Sequence, residues 1–222
     1  MNRRAGYGRR WLMLVVVAAF AFSGCDRQPE VMPSVTHETT WLDLWPQGRA
    51  LPAFSLTDHH GQPFGPEQLQ GHWTLMFVGY TYCPDICPTS LATLAGAWPA
   101  LKSRWPELQL VFLSADPKRD SPSRLAQYIP YFNPEFIGIS GDLSQIHRLA
   151  DPLTLVFSEP DTSMPGYLID HSASLAIIGP DAVGRGAIRP ARANAAQLMI
   201  VEGERLEQLL APLLDGENSK AR

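Results

Sequence analysis

The chain has 222 residues, 45% of them apolar and 18% charged, a mixture that supports a packed core and excludes a disordered polymer. The formal net charge of −4 leaves no basic footprint, so nucleic-acid binding is not expected. Three cysteines are too few for a disulfide scaffold.

The N-terminus opens with Arg3, Arg4, Arg9 and Arg10 and no acid, then runs twelve residues from Trp11 to Phe22 without a polar side chain. A spanning helix needs about 20 apolar residues, so the run has the length of a secretory h-region. It ends in Phe22-Ser23-Gly24-Cys25 and resembles a bacterial lipoprotein signal, which implies a lipid on Cys25. The alternative is an uncleaved signal anchor with an unmodified Cys25. Asp26 after the cysteine resembles an inner-membrane retention signal. Removing residues 1–24 takes away four arginines and no acid, which leaves a net charge of −8. Such a domain sits where disulfides are permitted.

Residues 25–49 read as a tether, polar and interrupted by Pro29, Pro33 and Pro46, with one apolar cluster at Trp41-Leu42-Asp43-Leu44-Trp45 that is expected to pack on the domain. The domain is expected over residues 50–215, with 216–222 as a tail. Phe54-Ser55-Leu56-Thr57 alternates like a strand, and Asp58-His59-His60-Gly61 reads as a solvated turn, since neighbouring histidines on a strand point to opposite faces. Trp73 to Val78 is a strand buried on both faces. Leu91, Leu94, Ala95 and Trp98 recur at helical spacing, with Pro99 as a break or kink. Leu108 to Leu113 is a strand; Ser121-Pro122 caps a helix; Phe136 to Ile139 is a short strand. Asp142 and Gln145 have capping-box spacing. Leu175 to Ile178 is a further strand. Leu206, Leu209, Leu210, Leu213 and Leu214 form a stripe on a last helix that Gly216 is expected to stop. Residues 185–192 are basic and carry no assignment. The alternation of strands and helices predicts an α/β fold around a mixed, mainly parallel sheet. Two cysteines in its first strand–loop–helix unit suggest a thioredoxin-like arrangement.

Cys83-Pro84-Asp85-Ile86-Cys87-Pro88 carries the chemistry. Four-residue spacing places two sulfurs on one side of a helical turn, with Cα atoms about 6 Å apart, inside the ~4.4–6.8 Å range of disulfides. A helix N-terminus favours thiolate. The pair is suited to hold a metal when reduced or to close when oxidised; a static disulfide or two inert core thiols is the bland reading. His171, in Tyr167-Leu168-Ile169-Asp170-His171-Ser172, is the best third ligand, although a lone histidine is more often an ordinary surface one. Two thiolates and one imidazole form a soft set that suits Cu(I) or thiolate-bound Cu(II), whereas structural zinc usually takes four protein ligands. His37, His72 and His147 read as solvated, and Met164 as a loop residue rather than an axial ligand.

Gly79-Tyr80-Thr81 with the Cys83–Pro88 stretch resembles the signature of the SCO/SenC family of copper-binding proteins. Asp116-Pro117-Lys118-Arg119-Asp120, the Asp170-His171-Ser172 motif and the Phe54–Gly61 hairpin are similar to that family too, in the same order, over roughly residues 50–180. The resemblance implies a thioredoxin-like domain tethered to the inner membrane through the lipid on Cys25 and facing the periplasm. It implies copper on Cys83, Cys87 and His171, with Asp85 or Asp170 among the residues that orient the histidine. It further implies a metallochaperone rather than an enzyme, one that assists assembly of the CuA site of cytochrome c oxidase. Its partner would be the copper subunit of the oxidase or another copper chaperone. The open alternative is a thiol–disulfide oxidoreductase of thioredoxin or peroxiredoxin type, with Cys83 and Cys87 as the redox pair.

Overall fold

The computed structural model describes residues 42–159, 161–190 and 203–218. The signal segment, Cys25, His37, Trp41 and the last four residues of the tail lie outside them.

The elements in chain order are β1 (Leu42–Ala50), β2 (Leu56–Asp58), β3 (Pro63–Phe64), β4 (Trp73–Gly79), α1 (Ile86–Arg104), β5 (Leu108–Ser114), α2 (Pro122–Phe132), β6 (Ile137–Ser140), α3 (Leu143–Ala150), β7 (Leu175–Ile178), β8 (Val183–Ile188) and α4 (Gly203–Asn218). One eight-stranded sheet runs in the order β1-β8-β7-β4-β5-β6-β2-β3. Its centre, β4-β5-β6, is parallel, and α1 and α2 supply the crossovers that parallel neighbours require. Every other described pairing is antiparallel, so the α/β class stands but the parallel part is confined to the middle three strands.

The central strands are apolar because helices cover both faces. Leu75 to Val78 and Leu110 to Leu113 are fully buried. One row of the sheet crosses it from edge to middle: Leu42 faces Ile188, Ile188 faces Leu175, and Leu175 faces Phe77. The chain therefore enters the domain at the end of the sheet where β4 stops.

Several expectations need correction. The stretch from Leu42 to Ala50, assigned to the tether, is an edge strand on β8. Its prolines and charges hid it, but Pro46 is tolerated at an edge, where no ladder bond is needed on one side. Trp45 packs as the apolar cluster predicted, 8% exposed, against a glycine whose Cβ would lie 2.9 Å from its ring. Val183 to Ile188, which runs into the unassigned basic stretch 185–192, is β8; Arg189 pairs with Asp43 at 2.8 Å. Pro99 does not end α1, which runs on to Arg104 because Trp98 and Leu101, on either side of it, are both buried. Gly216 does not stop α4, which continues to Asn218. That helix is held against the end of α1 by Arg104, which reaches Glu207 at 2.7 Å and Asp215 at 2.5 Å. Ser121 caps α2 as expected, accepting from Arg124 N. Asp142 starts α3 without a side-chain cap, and Gln145 Oε1 accepts instead from Ser55 N at 3.1 Å.

A chain beginning at residue 50 lacks β1 and its Trp45 anchor. Loss of a buried Trp costs about 3–5 kcal/mol, which at about 2–4 °C per kcal/mol lowers the unfolding midpoint by at least ~6 °C relative to a chain beginning at residue 40. Coincident thermal melts of the two would show that β1 contributes nothing.

Candidate metal centre

The site forms where β4 ends. Gly79 is the last residue of β4, and a Cβ there would lie 2.6 Å from Cys87 Sγ and 2.9 Å from the Phe112 ring. Only hydrogen fits, so the glycine lets the helix that follows bring its sulfur down on the strand. Tyr80 O accepts from Cys83 N at 3.1 Å and turns the chain. Helix α1 then starts at Ile86, with Asp85 at its N-cap. Pro88 falls in the first turn, where its missing N–H has no intrahelical acceptor to lose, so the regular helix need not wait for it.

Cys83 is half-buried and Cys87 buried, and both are free thiols. Cys87 N lies 3.5 Å from Cys83 Sγ and donates to it. His171 comes from the segment before β7, which is antiparallel to β4, so the strand's beginning lies beside the end of β4. A single bridge between Phe157 and His171 fixes the backbone there. The imidazole stands edge-on to the rings of Phe77 and Tyr80, with centroids 5.9 and 6.0 Å away. Its Nδ1 is 3.1 Å from Ser172 O. A carbonyl only accepts, so Nδ1 carries the proton and Nε2 presents its lone pair. That lone pair faces Cys87 Sγ at 3.1 Å. The two sulfurs and one imidazole nitrogen all lie within 4.8 Å of one another.

The thiols are unequal. The Cys83 thiol is held well below the ordinary thiol range, first by the hydrogen bond from Cys87 and further by backbone N–H groups, against the opposing effect of burial. Burial pushes Cys87 up, and its hydrogen bond to Cys83 adds to this. Burial and the shared hydrogen bond thus favour the proton on the inner sulfur and thiolate on the outer one.

The structure brings together Cys83, Cys87 and His171 and leaves the other candidates apart. Asp85 and Asp170 are exposed, and among the described residues neither carboxylate hydrogen-bonds His171; the Ser172 carbonyl orients the ring instead. Met164 is 62% exposed, in the exposed stretch of the loop before Tyr167. The His59-His60 turn is not fully solvated: His59 is 5% exposed and accepts from Gly138 N at 3.1 Å. Burial, then His60, lowers its pKa. His59, His60 and His72 line a cleft of about 400 Å³ beside the start of β4 and β5, away from the cysteines. His147 is half-buried and stacks on Phe157 at 4.5 Å. Asp116 and Asp120, in the loop after β5, are more than polar loop residues. Both are buried; Asp116 accepts from Tyr167 Oη at 2.7 Å, and Asp120 from Thr81 and Ser114. Sequence reasoning missed Phe77, Tyr80 and Ser172 as the frame of His171, because a strand Phe and a motif Tyr read as core and a backbone carbonyl leaves no signal.

A family model described as SCO1/SenC matches residues 46–203. A protein of Stutzerimonas stutzeri named for copper binding is 39% identical over 175 residues, covering 78% of this chain and 81% of that protein. A copper-bound ScoI structure from Bradyrhizobium japonicum is 32% identical with a TM-score of 0.56, covering 61% of this chain and 86% of that one. A copper-bound ScoI structure from Arabidopsis thaliana is 26% identical with a TM-score of 0.63, covering 74% and 98%. The thioredoxin-like class expected from the sequence is the fold observed.

Iodoacetamide should label Cys83 first, at a rate that titrates well below the ~8.5 of an ordinary thiol, since thiolate persists down to a lowered pKa. Cys87 should stay unlabelled until the chain unfolds. A Cys83 profile that rises only above pH 8 would contradict this asymmetry. Gly79→Ala should overpack the strand end at a cost of about 1–3 kcal/mol, seen as a lower melting midpoint and early labelling of Cys87.

Proposed function

The chain belongs to the SCO1/SenC family, and from that premise we propose that Cys83, Cys87 and His171 bind one copper ion as cargo. The protein is then a membrane-tethered chaperone assisting assembly of the CuA site of cytochrome c oxidase. The observation that carries this reading is the donor set, two sulfurs and an imidazole nitrogen within 4.8 Å at the end of β4. The set is soft and suits copper. No fourth His, Cys, Asp or Glu joins it among the described residues, whereas structural zinc favours four ligands.

The residues divide the work. Cys83 is already inclined to thiolate, and Cys87 gives up its proton when the ion arrives, as thiolate ligation requires. His171 needs no proton change, because the Ser172 carbonyl holds the tautomer with Nε2 free. Cys83 and His171 are half-buried, which leaves room for a thiolate of an acceptor to enter by ligand exchange. The acceptor is the copper subunit of the oxidase or another copper chaperone. Among the described residues no helix is long and apolar enough to cross a membrane. The lipoprotein-like stretch Phe22-Ser23-Gly24-Cys25 supports attachment through a lipid on Cys25 after removal of residues 1–24, with the domain, now from residue 42, in the periplasm.

One observation favours a second reading. Both cysteines are free, the outer one half-buried and the inner one buried behind it, the order of access a thiol–disulfide reductase needs. Cys83 would attack a partner disulfide, and Cys87 would then resolve the mixed disulfide.

Anaerobic copper titration of the reduced chain separates the two. One equivalent should bind in the wild type and give thiolate-to-Cu(II) absorption. Cys83→Ala and Cys87→Ala should abolish that stoichiometric binding. His171→Ala should weaken it beyond the ~10–100-fold that loss of an outer-shell partner costs, and should spare disulfide exchange. Normal copper binding with lost exchange in His171→Ala would hand the site to the second reading.

A further inference from the structure

We propose that Arg119 is a positioning residue, a flat cationic wedge between the cysteine loop and the histidine loop that sets the separation of His171 from the two sulfurs. The inference rests on the reading of Cys83, Cys87 and His171 as a metal site. Arg119 lies in the loop after β5 and has no hydrogen bond to any of the three. Its guanidinium carbon sits 3.5 Å from the ring centroid of Tyr167, 5.0 Å from that of Tyr82 and 5.5 Å from that of Tyr80. Tyr82 directly precedes Cys83. Tyr167 is four residues before His171. Tyr80 is edge-on to the His171 ring at 6.0 Å, and its hydroxyl accepts from Ile169 N at 3.2 Å. Three rings from two loops therefore meet on one cation.

Asp116 fixes the wedge from behind. Its buried carboxylate pairs with Arg119 Nε and accepts from the Tyr167 hydroxyl at 2.7 Å. The arrangement is a poor choice for stability alone. Arg119 Nη2 is buried without a hydrogen-bond partner, and a buried ion pair is weak evidence of net stabilisation. What arginine brings is shape: a planar, permanently charged group that stacks on aromatic faces. The stretch from Asp161 to Gly166 is exposed throughout. Lys118 Nζ to Thr162 O at 3.2 Å, the Ser158–Asp170 bonds, Tyr80 and the wedge tie the histidine loop to its surroundings.

The test uses the full chain, reduced and metal-free, with Arg119→Ala, Arg119→Lys and Tyr167→Leu. Amide hydrogen exchange at Ile169 reports the loop, and the β4 amides report the fold. Arg119→Ala and Tyr167→Leu should speed exchange at Ile169 by at least ~10-fold with β4 unchanged, as a local opening does. Copper affinity should fall ~10-fold or more, with a shifted thiolate-to-Cu(II) band, and Arg119→Lys should recover part of both. Unchanged exchange at Ile169, or equal acceleration at Ile169 and β4, would overturn the proposal; the second result would make Arg119 a plain stabiliser. If Arg119→Ala does not fold, Tyr167→Leu, at a half-buried position, carries the test, and loss of folding in both overturns the positioning role. A wild type that binds no copper would sink the metal reading, while Ile169 exchange would still decide whether the wedge exists.

Discussion

Asp120 is 1% exposed, yet its carboxylate accepts from Thr81 N at 3.0 Å, Thr81 Oγ1 at 2.7 Å and Ser114 Oγ at 2.6 Å. Burial raises its pKa, and the bonds from Ser114 and Thr81 oppose that. A buried carboxyl group is costly unless its oxygens are satisfied. Strands β4 and β5 stop in register, Gly79 opposite Ser114, and the loops leaving them are free to splay. Asp120 leaves one arrangement of the two that meets its needs. The cysteine turn is built on that arrangement, and the rings around Arg119 are packed above it.

The histidine reaches the site by a different route. It belongs to no loop of the parallel centre but arrives antiparallel to β4, with Phe77 and Tyr80 walling its ring. Two loops thus deliver three donors, each locked by its own device: a glycine for Cys87, a carbonyl for His171, and a helix N-terminus for Cys83. Short polar contacts between loops hold the site, and the buried sheet beneath supplies the rigidity.

What was legible in the sequence follows from how local each signal is. The cysteine spacing is a property of one helical turn, so it could be read without neighbours. His171 needed the sheet topology and a family resemblance, because nothing in Asp170-His171-Ser172 alone says what it faces. The central strands were plain from unbroken apolar runs. The edge strand β1 was hidden, since edges carry prolines and charges just as tethers do. Burial of His59, Asp116 and Asp120 was hidden too; short polar residues beside glycine or proline read as turns, and only a partner far along the chain buries them. Arg119 stood in plain view inside the Asp-Pro-x-x-Asp stretch, but a single basic residue carries no signal until its three rings are seen.

The row that joins Leu42 to Phe77 through Ile188 and Leu175 bears on what the chain can carry ahead of the domain. Strands are about 4.8 Å apart, so Leu42 lies within roughly 15 Å of β4, the strand that leads into the cysteine turn, and toward the same end. The point of entry and the sulfurs therefore share one rim of the sheet. A bulky group fused directly before Leu42 would crowd the cysteine turn, whereas the same group after Asn218 would not meet that rim through this row.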